Sequence, residues 1–259
     1  MFRSNKPIRL LDADKLAVKI YADPESMGRA AADFVGKKLR TVLKRRQEAN
    51  LILATGTSQF TFLNALRRDS KLDWSRITIF HLDEYVGISQ SHPASFRRYL
   101  RERILDAVKP REIHFLNADA ADLDSEISAY ETKLQAHPLD VACLGIGENG
   151  HLAFNDPPFA DFNDPRLVKT VELDELSRYQ QLHEGWFNSI DQVPRQAVTL
   201  TIPAILRSRT ISCVVPERRK ATAVYETLYS MVNPLCPASI LRKHPDATLF
   251  LEETSAEKI

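Results

Sequence analysis

Val141-Ala-Cys-Leu-Gly-Ile-Gly-Glu-Asn-Gly-His-Leu-Ala-Phe-Asn-Asp-Pro157 begins as one kind of structure and ends as another. Its first four residues are an unbroken apolar run, the pattern of a strand buried on both faces. Gly145, Gly147 and Gly150 then break the run. They open backbone conformations that other residues avoid, and they let a ligand approach closely.

Similar apolar runs lie on both sides. Before this segment, strands are expected at 16–21, 51–55, 77–81 and 113–116; after it, at 167–173, 197–202, 210–215 and 248–251. Asp23 suits an N-cap and Pro24 a first helical turn. Met27, Ala31, Phe34, Val35 and Leu39 then keep helical spacing to about Arg46. Further helices are expected at 60–66, from His92-Pro93 to near Val108, at 123–134 and at 217–231. Residues 82–87 and 156–166 read as loops. Strands alternating with helices predict an α/β fold, a mainly parallel sheet with helices on both faces. With no repeat or obvious linker, residues 1–259 are expected to form a single domain.

Composition narrows the partners. The 259 residues are 44% hydrophobic and 27% charged, which suits a soluble globular chain with a sizeable core. Net charge is +1, and the only dense basic stretch, 37–46, lies inside a helical pattern. No nucleic-acid partner is therefore expected. No run approaches the roughly 18 uncharged apolar residues of a membrane span. The N-terminal residues have no apolar run after their charges, so no signal peptide is expected either. Cys143, Cys213 and Cys236 are scattered without a CxxC pair, as fits reduced thiols and a cytoplasmic location.

In such sheets ligands bind beyond the carboxyl ends of the strands. Three loops follow expected strand ends, at 55–58, 82–87 and 147–157, and each carries chemistry. In Ala54-Thr-Gly-Thr-Ser58 a glycine turn leads into a helix N-terminus. Free N–H groups and the positive helix end there suit a phosphate, with Gly56, Thr57 and Ser58 as candidates. Ordinary helix capping fits the same residues. GxxxxGK[ST] is absent, so no nucleotide site is expected. Asp83 and Glu84 are adjacent carboxylates. One can face a cleft as a base of raised pKa while the other makes structural hydrogen bonds. His81 with Asp83 lacks a nearby third ligand, so neither a metal nor another cofactor is expected. His151 follows the glycines directly, and Asp156, five residues on, can orient its ring. Lys220 opens the helix after the 210–215 strand. It is placed to reach a phosphate, or is one more solvated lysine beside Arg218 and Arg219.

These segments resemble the glucosamine-6-phosphate deaminase family, within a wider group that includes 6-phosphogluconolactonases. The resemblance runs from about Ile20 to Glu253. It rests on Thr55-Gly-Thr-Ser58, Asp83-Glu-Tyr-Val-Gly87 with His92-Pro93 and Ser95, the 145–157 segment, Val168-Lys-Thr170, the 189–194 and 197–200 stretches, Lys220, and the 238–245 stretch. Tyr85 and Phe154-Asn155 favour the deaminase branch. The resemblance implies a Rossmann-like fold and a metal-free conversion of glucosamine-6-phosphate and water into fructose-6-phosphate and ammonia. It implies His151 as the ring-opening acid–base and Asp83 as the base moving a proton from C2 to C1. Asn149 and Asp156 would support His151, and Gly56, Thr57, Ser58 and Lys220 would cradle the phosphate. Glu84, Gly147 and Gly150 are counted with the substrate pocket. The expected partner is a small sugar phosphate, and assembly into a homo-oligomer is left open. The alternatives are a 6-phosphogluconolactonase-like hydrolase and a non-catalytic sugar-phosphate sensor.

The chain departs from the family pattern in several places. Asp156 stands where Glu is common, and Asn149 where some members have Asp. An Arg that precedes a Phe-Phe pair and grips phosphate is absent from Gly185-Trp186-Phe187; Arg178 is the candidate replacement. Pro158-Phe159-Ala160 and Leu167 stand where allosteric members carry Gly-Ser-Ser and an Arg, so activation by an acetylated sugar phosphate is not expected.

Overall fold

The structure, a computed structural model, describes residues 5–157, 159–173, 175–183 and 185–259. Pro158, within one of the expected loops, and Met1 to Ser4 lie outside the described residues. In chain order, β1 (Arg9–Ala13) and β2 (Leu16–Tyr21) precede α1 (Pro24–Arg45). Next come β3 (Ala49–Leu53), α2 (Phe60–Leu66), β4 (Ile77–His81) and β5 (Asp83–Tyr85). A π-helical turn joins α3 (Phe96–Leu100) to α4 (Asp106–Val108). Then follow β6 (Glu112–His114), α5 (Leu123–Ala136), β7 (Val141–Leu144), β8 (Val168–Glu172) and α6 (Glu175–His183). The chain continues through β9 (Gln196–Leu200), α7 (Ile202–Leu206), β10 (Thr210–Val215), α8 (Ala221–Tyr229) and β11 (Ala247–Glu252).

Local chemistry accounts for the firmest element. At α1 the Asp23 carboxylate accepts from the Ser26 amide at 2.7 Å and Pro24 occupies the first turn. Met27, Ala31, Val35 and Leu39 are buried along one face of that helix.

The main sheet has the order β1-β2-β11-β10-β7-β3-β4-β6. Every pairing in it is parallel except β1 with β2. Its central strands, β3, β4, β7, β10 and β11, are buried on both faces. Leu51 and Leu53 of β3 join one core cluster while Ile52 joins the other; Cys143 and Leu144 of β7 divide the same way. This explains the continuous apolar runs of the sequence. From β3 the chain builds outward to β4 and β6; from β7 it builds the other way to β10 and β11. The strand order therefore reverses between β3 and β7, which opens a crevice at their carboxyl ends.

Four features differ from the sequence expectation. Residues 83–85 form a strand, not a loop, in a second sheet of order β5-β9-β8, antiparallel throughout. The expected strands at 167–173 and 197–202 belong to that small sheet. β1 was not expected because Arg9 and Leu10 lie exposed on an edge strand, without an apolar run. α6 and α7 were also unforeseen. A third core cluster, with Tyr85, Phe154, Phe187 and Ala197, packs against the small sheet.

Candidate active site

The loops after β3, β7 and β10, together with β5, line one cleft at the reversal point. Of the candidate site residues, Gly56, Thr57, Ser58, Asp83, Gly147, His151 and Lys220 line it.

His151 is seated by backbone that only glycine permits. Gly150 has φ +84°, and a Cβ at Gly147 would collide with the His151 ring. Behind the ring, Asp156 is 3% exposed, and its Oδ1 lies 2.8 Å from His151 Nδ1. Asn149 Nδ2 donates to the same oxygen at 2.9 Å, while Asn149 Oδ1 accepts from the His151 amide at 3.2 Å. With Nδ1 facing Asp156, Nε2 is the ring nitrogen left for a substrate. Asn149, Asp156 and Gly150 do not line the cleft; they hold what does. Ala238 N donates to the Gly150 carbonyl at 2.9 Å, fixing the loop from behind.

The two adjacent carboxylates have opposite surroundings. Asp83 faces the cleft and, among the described residues, its carboxylate receives no hydrogen bond. Burial, and then the neighbouring Glu84, push its pKa up to about 8. Glu84 is fully buried on the other side of β5 and does not line the cleft, contrary to its expected place in the substrate pocket. Its carboxylate accepts from Ser95 Oγ at 2.8 Å, and from the amides of Phe96, Arg97 and Tyr85 at 3.1 Å each. Phe96 and Arg97 open α3, so the anion also faces a helix N-terminus. Arg97 Nε lies 3.4 Å away. Burial pushes the Glu84 carboxyl upward, against the pull of those donors. Glu84 thus clamps β5 to α3 and leaves Asp83 aimed at the cleft.

His81 does not form a metal pair with Asp83. Its ring is fully buried, edge-on to Phe115 at 5.7 Å. Burial, then Arg97, push its pKa down to about 3, so the imidazole is neutral.

The opposite wall is cationic. Gly56, at φ +93°, turns the chain into the Thr57–Gln59 turn and then α2, and Tyr99 Oη donates to its carbonyl at 2.7 Å. Lys220, 4% exposed, is carried by the turn after β10. Glu217 starts that turn with φ +80°, a strained value for a side chain with a Cβ, and its amide donates to Glu252 Oε1 at 2.9 Å. Arg178 does not line the cleft. Its Nη2 donates to the carbonyls of Ile190 at 2.6 Å and Val193 at 3.0 Å. Two polar lining residues escaped the sequence reading. Arg219 was set aside as a solvated neighbour of Lys220, although it too lines the cleft. Gln181 arrives on α6, a helix with no motif to mark it.

A desolvated carboxylate, a carboxylate-backed histidine and a cationic wall share one crevice over a parallel sheet. The arrangement is of the class found in α/β enzymes, with groups able to transfer protons beside a wall suited to an anion. Residues 22–250 match the model of the glucosamine-6-phosphate isomerases/6-phosphogluconolactonase family, and the chain belongs to that family. It is 36% identical to a glucosamine-6-phosphate deaminase of Streptococcus agalactiae serotype III (strain NEM316) over 227 residues, 86% of this chain and 95% of that protein. Among solved structures it is similar to a monomeric glucosamine-6-phosphate deaminase, with TM-score 0.85 and 30% identity over 93% of this chain and 99% of that one. A 6-phosphogluconolactonase of Trypanosoma brucei shares the fold alone, with TM-score 0.77 and 17% identity over 97% of this chain and 100% of that chain. No helix among the described residues is long and apolar enough to cross a membrane.

Proposed function

We propose that this protein is a glucosamine-6-phosphate deaminase-isomerase, converting glucosamine-6-phosphate and water into fructose-6-phosphate and ammonia. The observation that carries the reading is Asp83, His151 and Lys220 facing one cleft from three different strand ends. Deaminase relatives of similar length support the choice of substrate.

The chemistry follows from the positions. The phosphate sits against the Gly56–Ser58 turn and Lys220, so binding energy far from the reacting carbons positions C1 and C2. His151 takes the proton of the C1 hydroxyl and returns it to the ring oxygen as the C1–O bond breaks. Asp83 removes the C2 proton, the C1 oxygen gains one from solvent, and an enolamine forms. Asp83 then delivers its proton to C1, the nitrogen returns one to solvent, and an imine remains at C2. Water adds there and ammonia leaves, which makes the step a hydrolytic deamination. Each well-placed proton-transfer group contributes about 10²–10⁴-fold. A carboxyl titrating near 8 both takes and gives a proton readily near neutral pH.

The three cysteines are free and buried, which supports a reducing, cytoplasmic setting. Residues 1–259 are taken to act as one domain.

The test is direct. Purified protein given glucosamine-6-phosphate should release ammonia and fructose-6-phosphate in equal amounts, and His151→Gln should lower turnover by about 10²-fold or more. A folded protein that forms neither product removes the substrate assignment. Hydrolysis of 6-phosphogluconolactone in its place would move the chain to the lactonase branch.

A further inference from the structure

Glu112, His114 and His137 bring three metal-ligand side chains together at the outer edge of the main sheet, away from the cleft. Glu112 and His114 stand two apart on β6, so they share one face of that edge strand. His137 is the residue that caps α5 at its C-terminus. One ligand atom from each lies within 4.8 Å of the other two. Glu112 Oε1 and His114 Nε2 are 3.4 Å apart. That matches the edge of a tetrahedron whose ligands lie about 2.1 Å from a central zinc ion, roughly 3.4 Å.

Two further observations point to a cation. His114 is 4% exposed, and its Nε2 is buried without a hydrogen-bond partner. An orphaned buried nitrogen needs an explanation, and an ion is one. Separately, His137 Nδ1 lies 2.7 Å from the carbonyl oxygen of Lys133. A carbonyl only accepts, so Nδ1 carries the proton and Nε2 keeps its lone pair. A backbone carbonyl on the far nitrogen is the usual outer partner of a metal-bound imidazole. Phe80 packs against both rings, with centroid separations of 4.8 Å to His114 and 5.4 Å to His137, and walls the cluster from the core side.

We infer that Glu112, His114 and His137 bind a divalent transition-metal cation of the zinc type, with water as the fourth ligand. Two imidazoles and one carboxylate suit zinc, whereas magnesium and calcium take oxygen ligands. The ion ties β6, at the open edge of the sheet, to the end of α5.

Untagged full-length protein, stripped with a chelator, is titrated with Zn²⁺ in competition with a chromophoric chelator. A parallel titration with Co²⁺ follows the visible bands of the tetrahedral ion. One equivalent should bind, and both His137→Gln and Glu112→Gln should weaken binding about tenfold or more. Neither side chain is part of the buried core, so the variants keep the fold, which circular dichroism verifies. Binding unchanged in both variants overturns the assignment, as does no binding by the wild type at roughly 0.1 mM zinc.

Discussion

The imidazole of His151 rests against the bare α-carbon of Gly147. A Cβ at that position would lie 2.2 Å from Cε1 of the ring and 2.3 Å from Nδ1, where ordinary contacts are 3.4–4 Å. The proposed acid–base and the residue that makes room for it are thus one unit. Gly147→Ala should displace the ring from Asp156, lower turnover about tenfold or more and cost about 1–3 kcal/mol of stability. Steady-state kinetics with denaturant melts check both; an alanine variant of wild-type turnover would show that the ring position is not critical.

Asp83→Asn should separate activity from stability. Turnover should fall by about 10²-fold or more. Because the folded pKa is raised from 3.8 to about 8, the native state holds this proton more tightly than the unfolded chain. The stability that this supplies is fully present below pH 3.8 and is lost as pH rises through about 8. Above that range the wild type bears a buried charge that asparagine removes. Urea melts should therefore show the variant gaining on the wild type from acid to alkaline pH, by an amount on the order of a few kcal/mol. A stability difference independent of pH would refute a raised Asp83.

Glu84→Gln should do the reverse of its neighbour. It leaves Arg97, 3% exposed on its side chain, without its buried anion and weakens the start of α3. A loss of about 3–5 kcal/mol is expected, and what activity remains should follow the folded fraction. Melting curves and turnover measured well below the melting point separate these contributions.

Lys220→Ala should raise KM about 10- to 100-fold, the loss of one charge-assisted contact to phosphate. The same variant should treat a dephosphorylated analogue as the wild type does. Arg178→Ala should leave KM for the phosphorylated sugar almost unchanged and loosen the 190–193 segment instead, because its guanidinium is engaged with two carbonyls there. A phosphate-specific KM effect at Arg178 would restore it to the cradle.

Much of the architecture was legible because local rules and burial agree. Asp23-Pro24 starts α1 through capping that needs no tertiary partner. The apolar runs at 77–81 and 210–215 are strands at those very bounds, since a strand covered on both faces must be apolar throughout. β5 escaped because its three residues are a polar–polar–aromatic string whose partner, β9, lies far along the chain. The candidate site was legible where a glycine or an unusual pair marks a strand end, at 56–58, 83–84 and 145–156. It was not legible where a plain helix delivers a side chain, as with Gln181.

By itself the sequence determined the alternation of strand and helix, the loops that meet at the strand ends, and the residue types able to transfer protons. These follow from side-chain polarity and from glycine's missing Cβ, which act locally. Only the tertiary structure decided which of two adjacent carboxylates faces the cleft, and whether Arg178 reaches it. Asp83 and Glu84 are chemically near-equivalent. Pairing of β5 with β9 and the N-terminus of α3 assign one to the clamp and leave the other desolvated in the cleft. Orientation of that kind depends on distant segments meeting in space, which no local pattern encodes.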